Sequence, residues 1–336
     1  MIPCLCAAAP RKQNKPVRRR NRYIVPLIAD WSLAAAAGAL LKVLRLLPHE
    51  VSITLAGRAM RAATIILPRY RTAMKNLERA FPGMTKEQRL EILRGSWDNL
   101  ARTGLEYAYL DQVFRYDPDD LDAGNIEVSG VENFVQLRDG AKPAIIFTSH
   151  LANWELLSIC AAKNGLDVTS MFRTPNNRFF ADSLIKARSK LMGPLVASGS
   201  GSAFQLAATL ERGGRVGLLA DQRYKGGVLV PFFGHMVETN PLIAKLARQY
   251  DCDVYGARAI RLPNNRFRLE ITDPVDLPTD AQGHIDIAKT TAVIQGIVES
   301  WVREYPEQWI WFHRRWRLGT KKRKRMPQTS TDLEMV

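Results

Sequence analysis

Ala144–Cys160 reads AIIFTSHLANWELLSIC. Its first four residues are apolar, two of them β-branched, and the small polar pair Thr148-Ser149 stops the run just before His150. That is the pattern of a short buried strand. A helical pattern starts at Trp154, with Asn153 placed to cap it and Glu155 in its first turn. His150 therefore stands at the mouth of a strand and Glu155 at a helix start. On one continuous helix their five-residue spacing would turn the two side chains about 140° apart. A strand–loop–helix junction removes that obstacle and lets the carboxylate reach the ring. A histidine backed by a carboxylate is a general base with a defined tautomer. The alternative is a core-edge histidine beside a glutamate that merely faces the helix dipole.

Outward from this stretch, strand and helix patterns alternate. Strands are expected at Ile126–Val128, Ala144–Thr148, Val168–Phe172, Val216–Ala220, Val254–Ile260 and Phe267–Ile271. Helices are expected at Trp154–Lys163, Phe180–Lys190, Ala203–Glu211, Pro241–Tyr250 and Ile285–Glu304. This alternation predicts an α/β fold. Residues 111–142 read as a connection around the first strand. Residues 50–110 are helical in pattern, and Thr85-x-x-Gln88 forms a capping box ahead of the helix Lys86–Trp97.

The chain has 336 residues, a formal net charge of +15, and 46 % apolar residues. It can bury a large core, and its charge calls for an anionic partner. Zinc-ligand spacing, an aromatic RNA-binding run, GxSxG, Walker A and GxGxxG are all absent. Cys160 and Cys252 sit in apolar stretches and Cys4 and Cys6 in a tail, so no disulfide framework is expected. Residues 1–22 form a basic tail. Residues 23–45 form a membrane anchor or an interfacial helix, with Trp31 at headgroup level and Tyr23–Leu41 nearly long enough to span. Residues 46–317 form the main domain. Residues 318–336 are a second basic tail containing KKRKR at Lys321–Arg325.

Four later blocks carry polar or aromatic residues where a site needs them. Met171–Asn177, MFRTPNN, ends a strand with Arg173, whose guanidinium suits a phosphate or an oxyanion, and with turn-forming Asn176 and Asn177. Asp221-Gln222-Arg223 follows the strand RVGLLA, at the carboxyl end where open α/β sheets place sites. Val230–Gly234, VPFFG, offers Phe232 and Phe233 to an apolar pocket or to the core. Pro306–Trp316, PEQWIWFHRRW, sets His313, Arg314 and Arg315 among tryptophans, as a headgroup-level surface would.

Taken together in this order, these blocks resemble the late (secondary) lipid A acyltransferases. HLANWE resembles that family's His-x-Gly-Asn-Trp-Glu box, with Ala152 where the family has glycine. Asn76-Leu77 with Ala80-Phe81-Pro82 resembles its N-L-x-x-A-F-P approach, and the VPFFG and PEQWIWFHRRW blocks match almost residue by residue. The resemblance implies a glycerolipid acyltransferase-like fold: a central mixed sheet flanked by helices, preceded by a membrane-attached helix and a helical segment. It implies transfer of an acyl chain from acyl carrier protein to a hydroxyl of a lipid A precursor, at the cytoplasmic face of the inner membrane. No cofactor, metal or nucleic acid is implied. His150 would be the base, Glu155 its support, and Arg173, Asn176, Asn177, Asp221, Gln222, Arg223, Phe232, Phe233, His313, Arg314 and Arg315 the substrate-binding residues. An acyl-CoA-dependent glycerolipid or glycolipid acyltransferase is the alternative within the class. Outside it stand a non-catalytic basic protein that binds membrane or nucleic acid, and an esterase, for which Ser149 lacks elbow glycines.

Overall fold

The computed structural model describes residues 31–32, 35, 38–39, 42–117, 124–174, 185 and 188–317. Tyr23–Leu41 lies almost entirely outside them, as do both basic tails, Asn176, Asn177 and most of the expected helix Phe180–Lys190. Among the described residues no helix is long and apolar enough to cross a membrane.

A seven-stranded mixed sheet forms the centre, in the order β1-β9-β8-β2-β5-β3-β4. Its strands are β1 (Ile126–Ser129), β2 (Ala144–Thr148), β3 (Val168–Phe172), β4 (Leu195–Ala197), β5 (Arg215–Leu219), β8 (Asp253–Arg261) and β9 (Phe267–Pro274). All neighbouring pairs are parallel except β8–β9, which is antiparallel. The α/β expectation holds. The central β2 alternates as its sequence dictates: Ile145 and Phe147 are fully buried on one face, and Ile146 and Thr148 are half-buried on the other.

Among the described residues, the helices α1 (His49–Ala63), α2 (Tyr70–Ala80), α3 (Lys86–Glu106) and the single turn α4 (Leu110–Val113) precede the sheet. On α2, Ala73, Leu77 and Ala80 face inward while Arg71, Lys75 and Arg79 face solvent, the stripe expected of an amphipathic helix. Thr85 and Gln88 form the capping box in both directions. The α3 helix continues nine residues past the expected Trp97 end because no proline stops it. Gly95 allows it to lie against Glu307, since a Cβ there would sit 2.5 Å from the Glu307 side chain.

Around the sheet follow α5 (Val131–Asp139), α6 (Glu155–Lys163), α7 (Ser202–Glu211), α8 (Leu242–Tyr250) and α9 (Ile287–Glu304). The α5 helix falls in the stretch expected to be a connection; it is short, and Gly130 starts it in a left-handed conformation rather than with a side-chain cap. The second departure is a two-stranded antiparallel hairpin, β6 (Arg223–Phe232) and β7 (His235–Thr239). Gly226, Gly227 and Pro231 disguise β6 as loop sequence. Phe233 and Gly234 turn the hairpin with φ of 51° and 70°, the two positive values of a type I′ turn.

That turn settles where VPFFG goes. Phe232 ends the strand and Phe233 has left it, so the strict alternation of strand side chains no longer separates them. Both are buried, with ring centroids 5.0 Å apart. They pack with Phe81, Trp309, Trp311 and Trp316 in the main core, not along the cavity described below. The C-terminal block is pinned there from α2: the Asn76 amide donates to the Trp311 and His313 carbonyls, both at 2.7 Å.

Asn76→Leu leaves those two carbonyls without their buried donor, and each orphaned group costs about 1–3 kcal/mol. Urea unfolding should show a loss of about 2–4 kcal/mol, whereas Lys75→Leu on the solvent side should stay within about 0.5 kcal/mol of wild type.

Candidate functional site

His150 leaves the carboxyl end of β2, and Asp221 leaves the neighbouring β5. The two meet: His150 Nδ1 lies 2.8 Å from Asp221 Oδ1. The other carboxylate oxygen accepts the His150 backbone N–H at 3.0 Å and the Trp309 indole N–H at 2.8 Å. Asp221 is 2 % exposed. Burial alone would raise its pKa, but the His150 ring, the His150 N–H and the indole hold it down to about 2. A carboxylate in that position accepts the Nδ1 proton and leaves the Nε2 lone pair for the cavity. The Gln222 amide nitrogen is 3.2 Å from that Nε2, and the Trp154 ring stands edge-on to the imidazole, centroids 4.7 Å apart.

The carboxylate on the imidazole is thus Asp221, not Glu155. Glu155 is committed elsewhere. It forms a buried ion pair with Arg188, whose Nε donates at 3.0 Å, and it accepts the Trp154 indole N–H at 2.9 Å. Arg188 also donates to the Tyr107 hydroxyl at 2.8 Å. Burial, then the nearby Glu155 charge, push the Tyr107 hydroxyl pKa well above its usual value. Asn153 does accept the Glu155 N–H, at 3.2 Å. The short loop this makes aims the glutamate toward Arg188 rather than back at His150.

The loop itself is clamped by residues that precede it and residues that follow it in the chain. Ala152 has φ of 46°, in the left-handed region that favours glycine, at a strain of about 1–2 kcal/mol. Its methyl group is fully buried, which returns about 0.8 kcal/mol. Its N–H donates to Gln308 at 3.0 Å, and its carbonyl accepts from Thr103 at 3.1 Å. Next to it, Asn153 donates to Glu106 at 2.8 Å, and Glu106 is paired with Arg261. The C-terminal half of α3 thereby holds the histidine loop in register.

The remaining expected residues divide. Arg173 and Gln222 line the cavity, as does Arg223, which is ion-paired with buried Glu238. His313 accepts the Arg223 N–H on Nε2 at 3.2 Å. Burial lowers its pKa to about 4 despite the nearby Asp221, so it is neutral at pH 7. Arg314 is exposed. Arg315 is 0 % exposed and donates to the Glu238 carbonyl, Thr239 and Gln295. It is a structural cation of the core, not part of a headgroup surface: its three acceptors all lie inside. Arg188, Trp154, Trp309, Glu106 and Glu238 complete the site and were not singled out as partners. Trp309 sat in plain view inside PEQWIWFHRRW.

The cavity beside His150 measures about 870 Å³. Its mouth carries His150, Glu155, Arg173, Arg188, Gln222 and Arg223; deeper in, it is lined by Ile146, Ala161, Val168 and Ile271. It is a polar, cationic entrance above an apolar interior. Among the described residues no group of three or more His, Cys, Asp or Glu side chains could hold a metal ion.

The family model for bacterial lipid A biosynthesis acyltransferases matches residues 22–318. The lipid A biosynthesis palmitoleoyltransferase of Escherichia coli (strain K12) is 23 % identical over 286 residues, covering 81 % of this chain and 86 % of that protein. The lipid A biosynthesis acyltransferase of Shigella flexneri matches to the same extent, 23 % over 286 residues, again 81 % and 86 % of the two chains.

Two measurements follow. Arg188→Met strands Glu155 as an unpaired buried charge and should cost about 3–5 kcal/mol, while Arg188→Met with Glu155→Leu should recover most of it; urea midpoints of the three proteins decide. His313 has its folded pKa below its unfolded value, so the unfolded chain binds the extra proton first. Stability should therefore fall as pH drops from about 6.5 to about 4. His313→Gln, which keeps an acceptor for the Arg223 N–H, should flatten that part of the stability–pH curve.

Proposed function

The chain belongs to the bacterial lipid A biosynthesis acyltransferase family, and we propose that it moves a fatty acyl chain from acyl carrier protein to a hydroxyl on a primary acyl chain of a Kdo-modified lipid A precursor. The single observation that carries the mechanism is the His150–Asp221 contact at the mouth of an apolar cavity. The acceptor hydroxyl gives its proton to His150 Nε2, and its oxygen attacks the thioester carbonyl. Asp221 stabilises the imidazolium that forms and keeps the ring in its tautomer. The tetrahedral intermediate then collapses, the carbon–sulfur bond breaks, and the carrier thiolate takes the proton back from His150. No acyl-enzyme is needed.

Gln222, whose amide nitrogen already reaches the ring, and Arg173 at the cavity mouth supply donors for the oxyanion or for a lipid phosphate. Glu155 acts one step removed: it anchors Arg188 and Trp154, which wall the entrance. The +15 charge suits both an acidic carrier protein and a phosphorylated lipid. The membrane supplies the third partner. Leu46 and Ile66 are 83 % and 81 % exposed, with Val43, Val51, Leu55 and Ile65 also exposed near Arg58, Arg69 and Arg71. Exposed aliphatic residues among arginines suit the surface of an anionic leaflet, which supports a reaction at the cytoplasmic face of the inner membrane.

The test is an assay with acyl carrier thioester and lipid precursor. His150→Ala should give no acylated lipid while retaining the wild-type circular dichroism spectrum; unchanged turnover would rule out the base. Asp221→Asn should lower kcat by about 10³–10⁴-fold with little change in KM. Replacing the carrier thioester with acyl-CoA should lower the rate.

A further inference from the structure

We infer that the apolar cavity is a gauge for acyl-chain length, set at mid-depth by Gly217 and ended by Phe134 and Leu137; this rests on the acyltransferase reading above. The cavity follows one face of the sheet beneath α6. Strand register gives its depth. Thr148 is level with Leu219; Ile146 is level with Gly217 and Ser170; Val168 is level with Ala144, one step nearer the amino ends. All of these except Ala144 line the cavity. Ala144 is six residues before His150, up to about 20 Å at strand rise. Half of a ~30 Å bilayer core, the reach of one lipid chain, is about 15 Å. A cavity reaching up to about 20 Å has room for one chain of about 15 Å.

Two features of its wall bear on length. The first is Gly217, in the middle of β5, where the sheet's centre normally carries a side chain. Glycine inside a strand weakens it and marks a place where something approaches closely. A Cβ at Gly217 would sit 3.1 Å from Ser170 Oγ and 3.2 Å from Val168 Cγ1, both on the cavity face. The three atoms nearest to such a Cβ belong to Ser170 and Val168 of β3, and Gly217 itself lines the cavity. Ser170 and Ser158 face each other at this level, their hydroxyls 3.3 Å apart, and that mutual bond lowers the penalty of two hydroxyls against a hydrocarbon. The second feature is the far end. Phe134 and Leu137 of α5 are nearly buried, and they pack with Ala144, Ala161, Leu166 and Val168 in a small core cluster. Their packed side chains stop the cavity where a chain's methyl end would arrive.

A bulkier residue 217 would shorten the accepted chain, and a smaller residue 134 would lengthen it. A misfit of a methylene group in an apolar pocket changes discrimination by about 10–200-fold. The full chain, in detergent, is given an equimolar mixture of saturated acyl carrier thioesters of increasing even length, and the acylated lipid is read by mass spectrometry. Gly217→Val should shift the preferred chain shorter, with the ratio of the wild-type-length product to the next shorter one falling about tenfold or more. Gly217→Ala should shift it less, and Phe134→Leu should shift it longer. In parallel, native mass spectrometry with free saturated fatty acids reads which length each protein retains. Product ratios and retained lengths that are unchanged in the folded variants overturn the gauge. Retained lengths that shift as stated, in proteins that transfer nothing, uphold the gauge and overturn the acyltransferase mechanism instead.

Discussion

A buried carboxylate needs every one of its lone pairs answered, and the Asp221 carboxylate is answered by two distant stretches of the chain at once. The His150 ring and N–H come from the β2 loop, and the Trp309 indole comes from the C-terminal block. Desolvating Asp221 is tolerable only because these donors hold its pKa near 2. Each of them also depends on it. Without Asp221 the imidazole loses its orientation, and the tryptophan is left with a buried N–H. This contact joins the site to the core, because Trp309 also packs against Phe232, Trp311 and Trp316.

A second buried charge system runs beside the first without sharing a residue with it. Arg261 pairs with Glu106 of α3 and donates to Asn99 on the same helix, while Glu106 accepts from Asn153 in the histidine loop. Arg188 pairs with Glu155 and reaches Tyr107. Buried ion pairs of this kind contribute less to net stability than to geometry: removing one partner is expensive, and replacing both is cheap. Here they fix the direction in which the histidine loop leaves the sheet. They also account for the positive φ of Ala152, which the surrounding hydrogen bonds over-determine.

Electrostatics and burial divide the remaining basic residues into two groups. Arg315 is drawn wholly inside, where desolvation lowers its pKa to about 10 and it stays charged at neutral pH. The arginines of α2 stay in water beside exposed aliphatic residues. The first group holds the hairpin β6–β7 to α9; the second is free to meet an anionic surface.

The local patterns of the chain determined the strand–loop–helix junction at His150, the capping box at Thr85, six of the seven central strands to within a few residues and the polar ends of β3 and β5. These are short-range matters: side-chain period, caps and stop residues act over a few positions, so they can be read in one dimension. Pairing could not be read that way. Nearness in sequence favoured Glu155 as the partner of His150, yet Asp221, 71 positions away, lies on the adjacent strand. Glu155 was taken by Arg188, which no local pattern marks. The aromatic pair of VPFFG went to the core because a two-residue turn with positive φ, not a strand, set the direction of Phe233. Which charges meet, and which apolar residues face a cavity rather than a core, follows from strand order and register, and those are decided only when the whole sheet has assembled.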